Sequence, residues 1–285
     1  MLTLPRTCRM AMAVVLALAG CHADGPPAGG HGRDTAREVS ELLRTIGDDN
    51  RAYRERLRQH SILYMSLDRM FPDRRVRELA AAAGRGRIGR VDELLGSGVD
   101  PNAAGTSGAT PLWWTFRKRN LAGFVRLLEA GADPNLTMGI SDTTVMHRAA
   151  GAGDLRFLEA ALAHGGNPDV REGNRNSTPA FAVVVLTEPG NVGAVRMLIT
   201  AGADLEAEDE YGYTVAMFSA KRPDILYELL IYGAQYRRTY RNGDTLLGDL
   251  STFCANAQRK WQAHCLKVID WLAGRGVELP PPREL

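Results

Sequence analysis

TPLWWTFRKRNLAGFVRLLEAGADPN, Thr110–Asn135, is the stretch against which the rest of the chain can be measured. The Thr110 hydroxyl can cap a helix, and Pro111 costs nothing in a first helical turn, where its missing N–H had no partner. Leu127-Leu128 and the closing Gly131-Ala132-Asp133-Pro134-Asn135 end the unit. Variants of these letters recur in register. Ala82-Ala83, Leu94-Leu95 and Gly98-Val99-Asp100-Pro101-Asn102 precede the stretch. Thr144-Val145-Met146-His147, Ala149-Ala150 and Gly165-Gly166-Asn167-Pro168-Asp169 follow it. Ser177-Thr178-Pro179 with Gly202-Ala203-Asp204, Gly212-Tyr213-Thr214 with Gly233-Ala234, and Gly243-Asp244-Thr245-Leu246 with Gly276-Val277-Glu278 continue the series.

A helix-turn-helix unit repeating about every 33 residues and closed by Gly-Ala-Asp-Pro-Asn resembles the ankyrin repeat. The resemblance covers about Leu79 to Glu278 and implies an all-α solenoid of about five to six repeats over 75–279. One unit cannot bury its apolar face alone, so neighbours stack. The fourth repeat carries three extra residues between its helices relative to the second, around Thr187–Asn191, and the fifth is two residues shorter, with a tight turn at Arg222-Pro223-Asp224. The sixth has an irregular middle, Cys254 to His264, and forms a C-terminal cap; Pro280-Pro281-Pro282 ends the helix in a short tail, 280–285. Helical spacing before the repeats (Val39, Leu42, Leu43, Ile46, then Tyr53, Leu57, Tyr64, Leu67, Met70) predicts an N-terminal helical cap over 34–74, with a turn at Phe71-Pro72-Asp73. The Arg51, Arg54, Arg56, Arg58 face is either solvated or a contact for acidic groups.

The net charge of +2 provides no strong field, and Arg6 and Arg9 of the leader account for the excess. A nucleic-acid partner is therefore not expected. Residues 1–20 read as a signal peptide: a charged start, the apolar run Met10–Ala19, and a small-residue end. Leu18-Ala19-Gly20-Cys21 resembles the lipobox of bacterial lipoproteins, which implies acylation of Cys21. The alternative is an ordinary secretory signal with Cys21 as a leftover thiol. His22 follows Cys21, which by resemblance to the lipoprotein sorting rule permits outer-membrane delivery without excluding the inner membrane. Residues 21–33, rich in Gly and Pro, form a flexible tether. The expected location is the periplasm of a Gram-negative bacterium, with the N-terminal lipid as the sole membrane contact. Cys254 and Cys265 form a disulfide in such a compartment, worth about 2–3 kcal/mol by loop entropy, or else are two buried thiols.

No nucleophile–base motif, P-loop or metal-ligand spacing is present, so neither catalytic residues, metal nor cofactor is expected. Gly84-Arg85-Gly86-Arg87-Ile88-Gly89 matches a dinucleotide fingerprint in letters only, because it falls between two helices of a repeat. His147 occupies the slot where the ankyrin family has a structural histidine bonded to the turn threonine and nearby backbone.

Ankyrin proteins bind partners through the projecting loops and the concave face of the inner helices, and the resemblance implies the same here. The position after the histidine slot holds Trp114, Arg148, Ala182 and Phe218, and helical spacing puts Lys118 beside Trp114. Trp114 is expected on the exposed concave face; alternatively Trp113 and Trp114 both pack against neighbouring helices. The loops add Arg171, Arg175, Tyr211 and Tyr213, a recognition-type mixture of area and hydrogen bonding. Lipobox, pre-repeat helices, and the stretches VDELLGSGVDPNA and GFVRLLEAGADPN together resemble bacterial ankyrin lipoproteins that act as immunity proteins against type VI secretion effectors, lipases especially. That implies a chain, monomeric before binding, that captures a secreted lipase effector near the membrane and blocks it sterically. An envelope scaffold for another periplasmic protein is the alternative.

Overall fold

The computed structural model describes residues 65–283 apart from 140, 141, 174, 187–191, 241 and 242. The chain divides into two units, Met1–Met65 and Ser66–Leu285, and every helix named below belongs to the second. The signal peptide, Cys21, the tether, the helical pattern up to and including Tyr64, and the Thr187–Asn191 bulge lie outside the described residues.

Thirteen α-helices and no strand are present among the described residues. They are α1 (Leu67–Met70), α2 (Arg74–Gly84), α3 (Ile88–Gly96), α4 (Pro111–Arg117), α5 (Leu121–Glu129), α6 (Val145–Ala150), α7 (Leu155–Ala163), α8 (Pro179–Leu186), α9 (Val192–Thr200), α10 (Val215–Phe218), α11 (Pro223–Ile231), α12 (Leu246–Ala255) and α13 (Arg259–Ala273). The helices pack in two rows. The first row runs α2, α4, α6, α8, α10, α12, with the 3-10 turn Ser219–Lys221 bridging to α12; the second runs α3, α5, α7, α9, α11, α13. This is a helical ankyrin solenoid, with six helix pairs.

Local chemistry starts and stops each pair. Thr110, Thr144, Thr214 and Thr245 accept a hydrogen bond from the backbone N–H three residues on, which satisfies a donor the first turn leaves unpaired. Asp73 does the same for α2. At the far end of each second-row helix, a glycine takes the left-handed conformation: Gly98, Gly131, Gly165, Gly202, Gly233 and Gly276. The next residue's N–H then returns to the carbonyl five positions back, as in Ala132 to Leu127 and Ala203 to Leu198. A side chain would be strained there, and the geometry closes orphan carbonyls of the helix end.

The residues after those glycines lace the repeats together. Asn102 donates to the Gly131 carbonyl (2.8 Å) and accepts from the Asp133 N–H (2.7 Å). Asn135 repeats this with Gly165 (2.9 Å) and Asn167 (2.7 Å). Asp169 then accepts from the Asp204 N–H, and Glu206 from the Gln235 N–H. The recurring Asp-Pro-Asn is therefore a ladder of side chain-to-backbone bonds, each reaching one repeat ahead.

The helices also meet closely where the side chains are small. A Cβ on Gly123 of α5 would run into the Ala83 carbonyl of α2. Large residues fill the wider gaps: Phe124 is fully buried against Phe157 of α7, with ring centroids 5.1 Å apart.

Two expectations at the C-terminus are corrected. The segment Cys254 to His264 is not irregular: α12 runs to Ala255, and α13 starts at Arg259 and contains His264. Trp261, Cys265, Val268 and Leu272 share one face of α13, a spacing masked by the polar residues between them. The proline tail does not simply leave the fold. Ser251 donates to the Pro280 carbonyl (2.6 Å), the Arg283 N–H reaches Thr252 (3.0 Å), and the Arg283 guanidinium lies 3.0 Å from Asp244. A disulfide joins Cys254 to Cys265, linking α12 to α13.

Candidate binding cleft

The face of the first-row helices opens into one cavity of about 280 Å³. It is bounded by α6, α8 and α10 and by the loops carrying Glu172–Ser177 and Asp209. Three of the expected recognition residues line it: Arg148, Arg175 and Phe218. Tyr211 and Tyr213 adjoin it, because the Arg175 guanidinium lies over the Tyr211 ring (5.7 Å) and Phe218 meets Tyr213 edge-on (5.7 Å).

The apolar wall comes from α8, whose sequence PAFAVVVL is apolar on every side. Such a helix is expected to be buried all round. Phe181 is buried, yet Val185 and Leu186 are 57% and 52% exposed. Phe181 and Phe218 pack edge-to-face at 5.4 Å and form the floor.

The hydrogen bonding of the charged part is incomplete. The Nε of Arg148 is buried and has no hydrogen-bond partner among the described residues. A buried unsatisfied donor costs about 1–3 kcal/mol, more when charged. Neither Arg148 nor Arg175 forms an ion pair among the described residues. The nearby carboxylates are committed elsewhere: Glu172 accepts from the Ser177 hydroxyl (2.6 Å), and Asp209 from the N–H groups of Tyr211 and Tyr213 (both 2.9 Å).

The rim is fixed before any ligand arrives. Arg171 donates to the carbonyls of Asn176 and Glu208 (both 2.6 Å), and the Glu210 N–H reaches the Arg175 carbonyl (2.8 Å). Arg171 thus ties two neighbouring loops together, a positioning role that the sequence alone did not separate from direct contact.

Trp114 is the main correction. It was expected on the open face, but only 6% of it is exposed. The indole fills the slot left by Gly84 at the end of α2, where a Cβ would sit 2.8 Å from its Nε1. Arg117 and Lys118 each lie 4.6 Å from its ring centre and roof it over. Lys118 is exposed but belongs to this roof and not to the cavity lining. Trp113 is buried too and stacks on Phe116.

His147 lies at the back of the cavity and is structural in geometry. A carbonyl only accepts, so Nε2 donates to Ser177 O (3.0 Å), and Nδ1 accepts from the Thr144 hydroxyl (2.9 Å). Burial pushes the imidazole below the usual histidine range, and Arg148 acts in the same direction; the Ser177 carbonyl and Glu172 oppose them. The folded state therefore binds this proton less readily than the unfolded state. The stability linked to neutral His147 is complete above about pH 6.5 and declines as pH falls through the lowered folded value. The urea midpoint is expected to drop between pH 7.5 and 5, with a shallower drop in His147→Gln. Equal slopes in the two proteins contradict this assignment.

Among the described residues no group of three or more His, Cys, Asp or Glu side chains is placed to hold a metal ion. No described helix is long and apolar enough to cross a membrane.

No family model matches the chain. It is similar to the cyclin-dependent kinase 4 inhibitor B of Bos taurus, with 38% identity over 95 residues, 33% of this chain and 72% of that protein. It is also similar to Protein PhlB of Serratia liquefaciens, 32% identical over 112 residues, 39% of this chain and 48% of the relative. An ankyrin repeat protein of Acanthamoeba polyphaga mimivirus is 31% identical over 97 residues, 33% of this chain and 60% of the relative. The chain spans about half of the second relative and three fifths of the third. Stacked repeats with an open, partly apolar cleft define a protein-binding module. The chain belongs to the ankyrin-repeat proteins.

Proposed function

We propose that this is a membrane-tethered periplasmic binding module that acts as an immunity protein, capturing a secreted phospholipase effector of a type VI secretion system and blocking it sterically. The observation that carries the binding part is the cleft, whose lining joins a buried guanidinium atom lacking a partner among the described residues to exposed Val185 and Leu186. Location is supported by Leu18-Ala19-Gly20-Cys21 and by the disulfide between α12 and α13, a bond that persists in oxidising compartments. Acylation at Cys21 would concentrate the cleft at the surface a lipase attacks.

The test is protection. Any lipase found encoded beside this chain is expressed in the periplasm of a host cell with and without the full chain. Survival with the full chain, and its loss with Cys21→Ser, is the expected result. Absence of a neighbouring toxin, or no protection from it, overturns the immunity reading. Recovery of a resident envelope protein instead favours a scaffold.

A further inference from the structure

We infer that the cavity between α6, α8 and α10 receives a short partner segment in which an aspartate or glutamate stands beside a large apolar residue. This deepens the protein-binding reading and rests on it. The carboxylate is assigned to Arg148 and Arg175, and the apolar side chain to the wall of Phe181, Val185, Leu186 and Phe218.

The unmet hydrogen bonding of Arg148 selects this occupant. Arg148 Nε is a buried donor lacking an acceptor among the described residues, and a carboxylate accepts guanidinium N–H groups in pairs. Arg175 is held over Tyr211 and Phe218 by ring contacts alone (5.7 and 5.4 Å), so it can turn its N–H edge to an incoming anion. Glu172 and Asp209 in the same lining match Arg148 and Arg175 in formal charge, so the site is neutral before binding and suits a single carboxylate better than a dianion. At about 280 Å³ the cavity is below the usual range of a small-molecule pocket and admits one or two side chains. A long acyl chain would need a deeper channel. The interlinked rim loops keep the cavity open, so little ordering entropy opposes binding.

The proposal is tested with a random dodecapeptide phage library panned on the full-length chain in detergent micelles. Enriched peptides are expected to share Asp or Glu within two positions of Leu, Ile, Met or Phe. Their binding to Arg148→Gln/Arg175→Gln falls at least tenfold, the loss that follows from cutting one side of charge pairs that the bound peptide covers. Val185→Ser, on an exposed position that the fold does not need, also weakens them. Circular dichroism checks that each variant is folded. Absence of enrichment, a basic or neutral consensus, undiminished binding to the double variant, or displacement of the peptides by inorganic phosphate or by oleate overturns the proposal; the last two outcomes would mark an anion or a lipid site. The same variants separate this from the immunity reading. An acidic–apolar consensus without protection leaves the site standing and the immunity reading lost. Full protection by the double variant does the reverse.

Discussion

Arg222→Ala is expected to destabilise the protein by about 3–5 kcal/mol, the range for removing one partner of a buried ion pair. Arg222 and Asp224 face each other with both Nε and Nη2 at 3.2 Å from the carboxylate, and their side chains are only 12% and 2% exposed. The alanine variant would leave the Asp224 charge buried without its counter-ion. It would also remove the bond from Nη1 to the Val184 carbonyl of α8 (3.2 Å) and the guanidinium 5.9 Å from the Trp261 ring. One side chain therefore joins the fourth repeat, the fifth and the last. Chemical denaturation of Arg222→Ala and of Arg222→Ala/Asp224→Ala checks the assignment. The double variant should lose less than the two single losses added together, because it leaves no orphaned carboxylate. A loss below about 1 kcal/mol in Arg222→Ala would place the pair among surface salt bridges, contrary to its burial.

Phe124→Ala is expected to cost a further about 3–5 kcal/mol by opening a cavity, as for other buried phenylalanines. Phe124 is wholly buried in α5, and its ring meets Phe157 of α7 (5.1 Å) and Phe116 of α4 (6.3 Å). Phe116 and Phe124 of the second repeat both meet Phe157 of the third, and this cluster makes the interface between the two. Solenoid stability is close to a sum of repeat and nearest-neighbour terms, so weakening one interface uncouples the stack on either side. The unfolding transition should broaden or split in Phe124→Ala while remaining single in the wild type. A uniform shift with unchanged steepness would mean that the aromatic cluster is not a repeat boundary in energetic terms.

The parts of the fold legible in the sequence were those set by local chemistry. Thr110-Pro111 needs only its own first turn, and Gly131 needs only the end of its own helix, so both speak through short stretches. The Asn102 and Asn135 ladder was visible as a repeated letter, but its partner lies one repeat away and its purpose appeared only in three dimensions. Trp114 failed for a related reason. Its burial depends on Gly84, a position whose contribution is the absence of a side chain. The first turns of α13 were hidden because polar residues separate Trp261, Cys265, Val268 and Leu272. For the cleft, residue types pointed to Arg148, Arg175 and Phe218, yet nothing in the sequence showed that three repeats converge on one cavity while Lys118 and Arg171 serve other contacts. The Arg222–Asp224 pair looked like a turn because its Pro223 does start a helix; its burial was not written locally.

In the proposed complex the partner covers the first-row cleft. The most direct measurement is arginine modification by phenylglyoxal, read by mass spectrometry, on the full chain alone and in complex with the proposed effector. Arg148 and Arg175 should lose reactivity in the complex, while Arg90 and Arg196 on the second-row helices α3 and α9 keep theirs. Unchanged reactivity at Arg148 and Arg175, with protection at Arg90 or Arg196, would contradict the account.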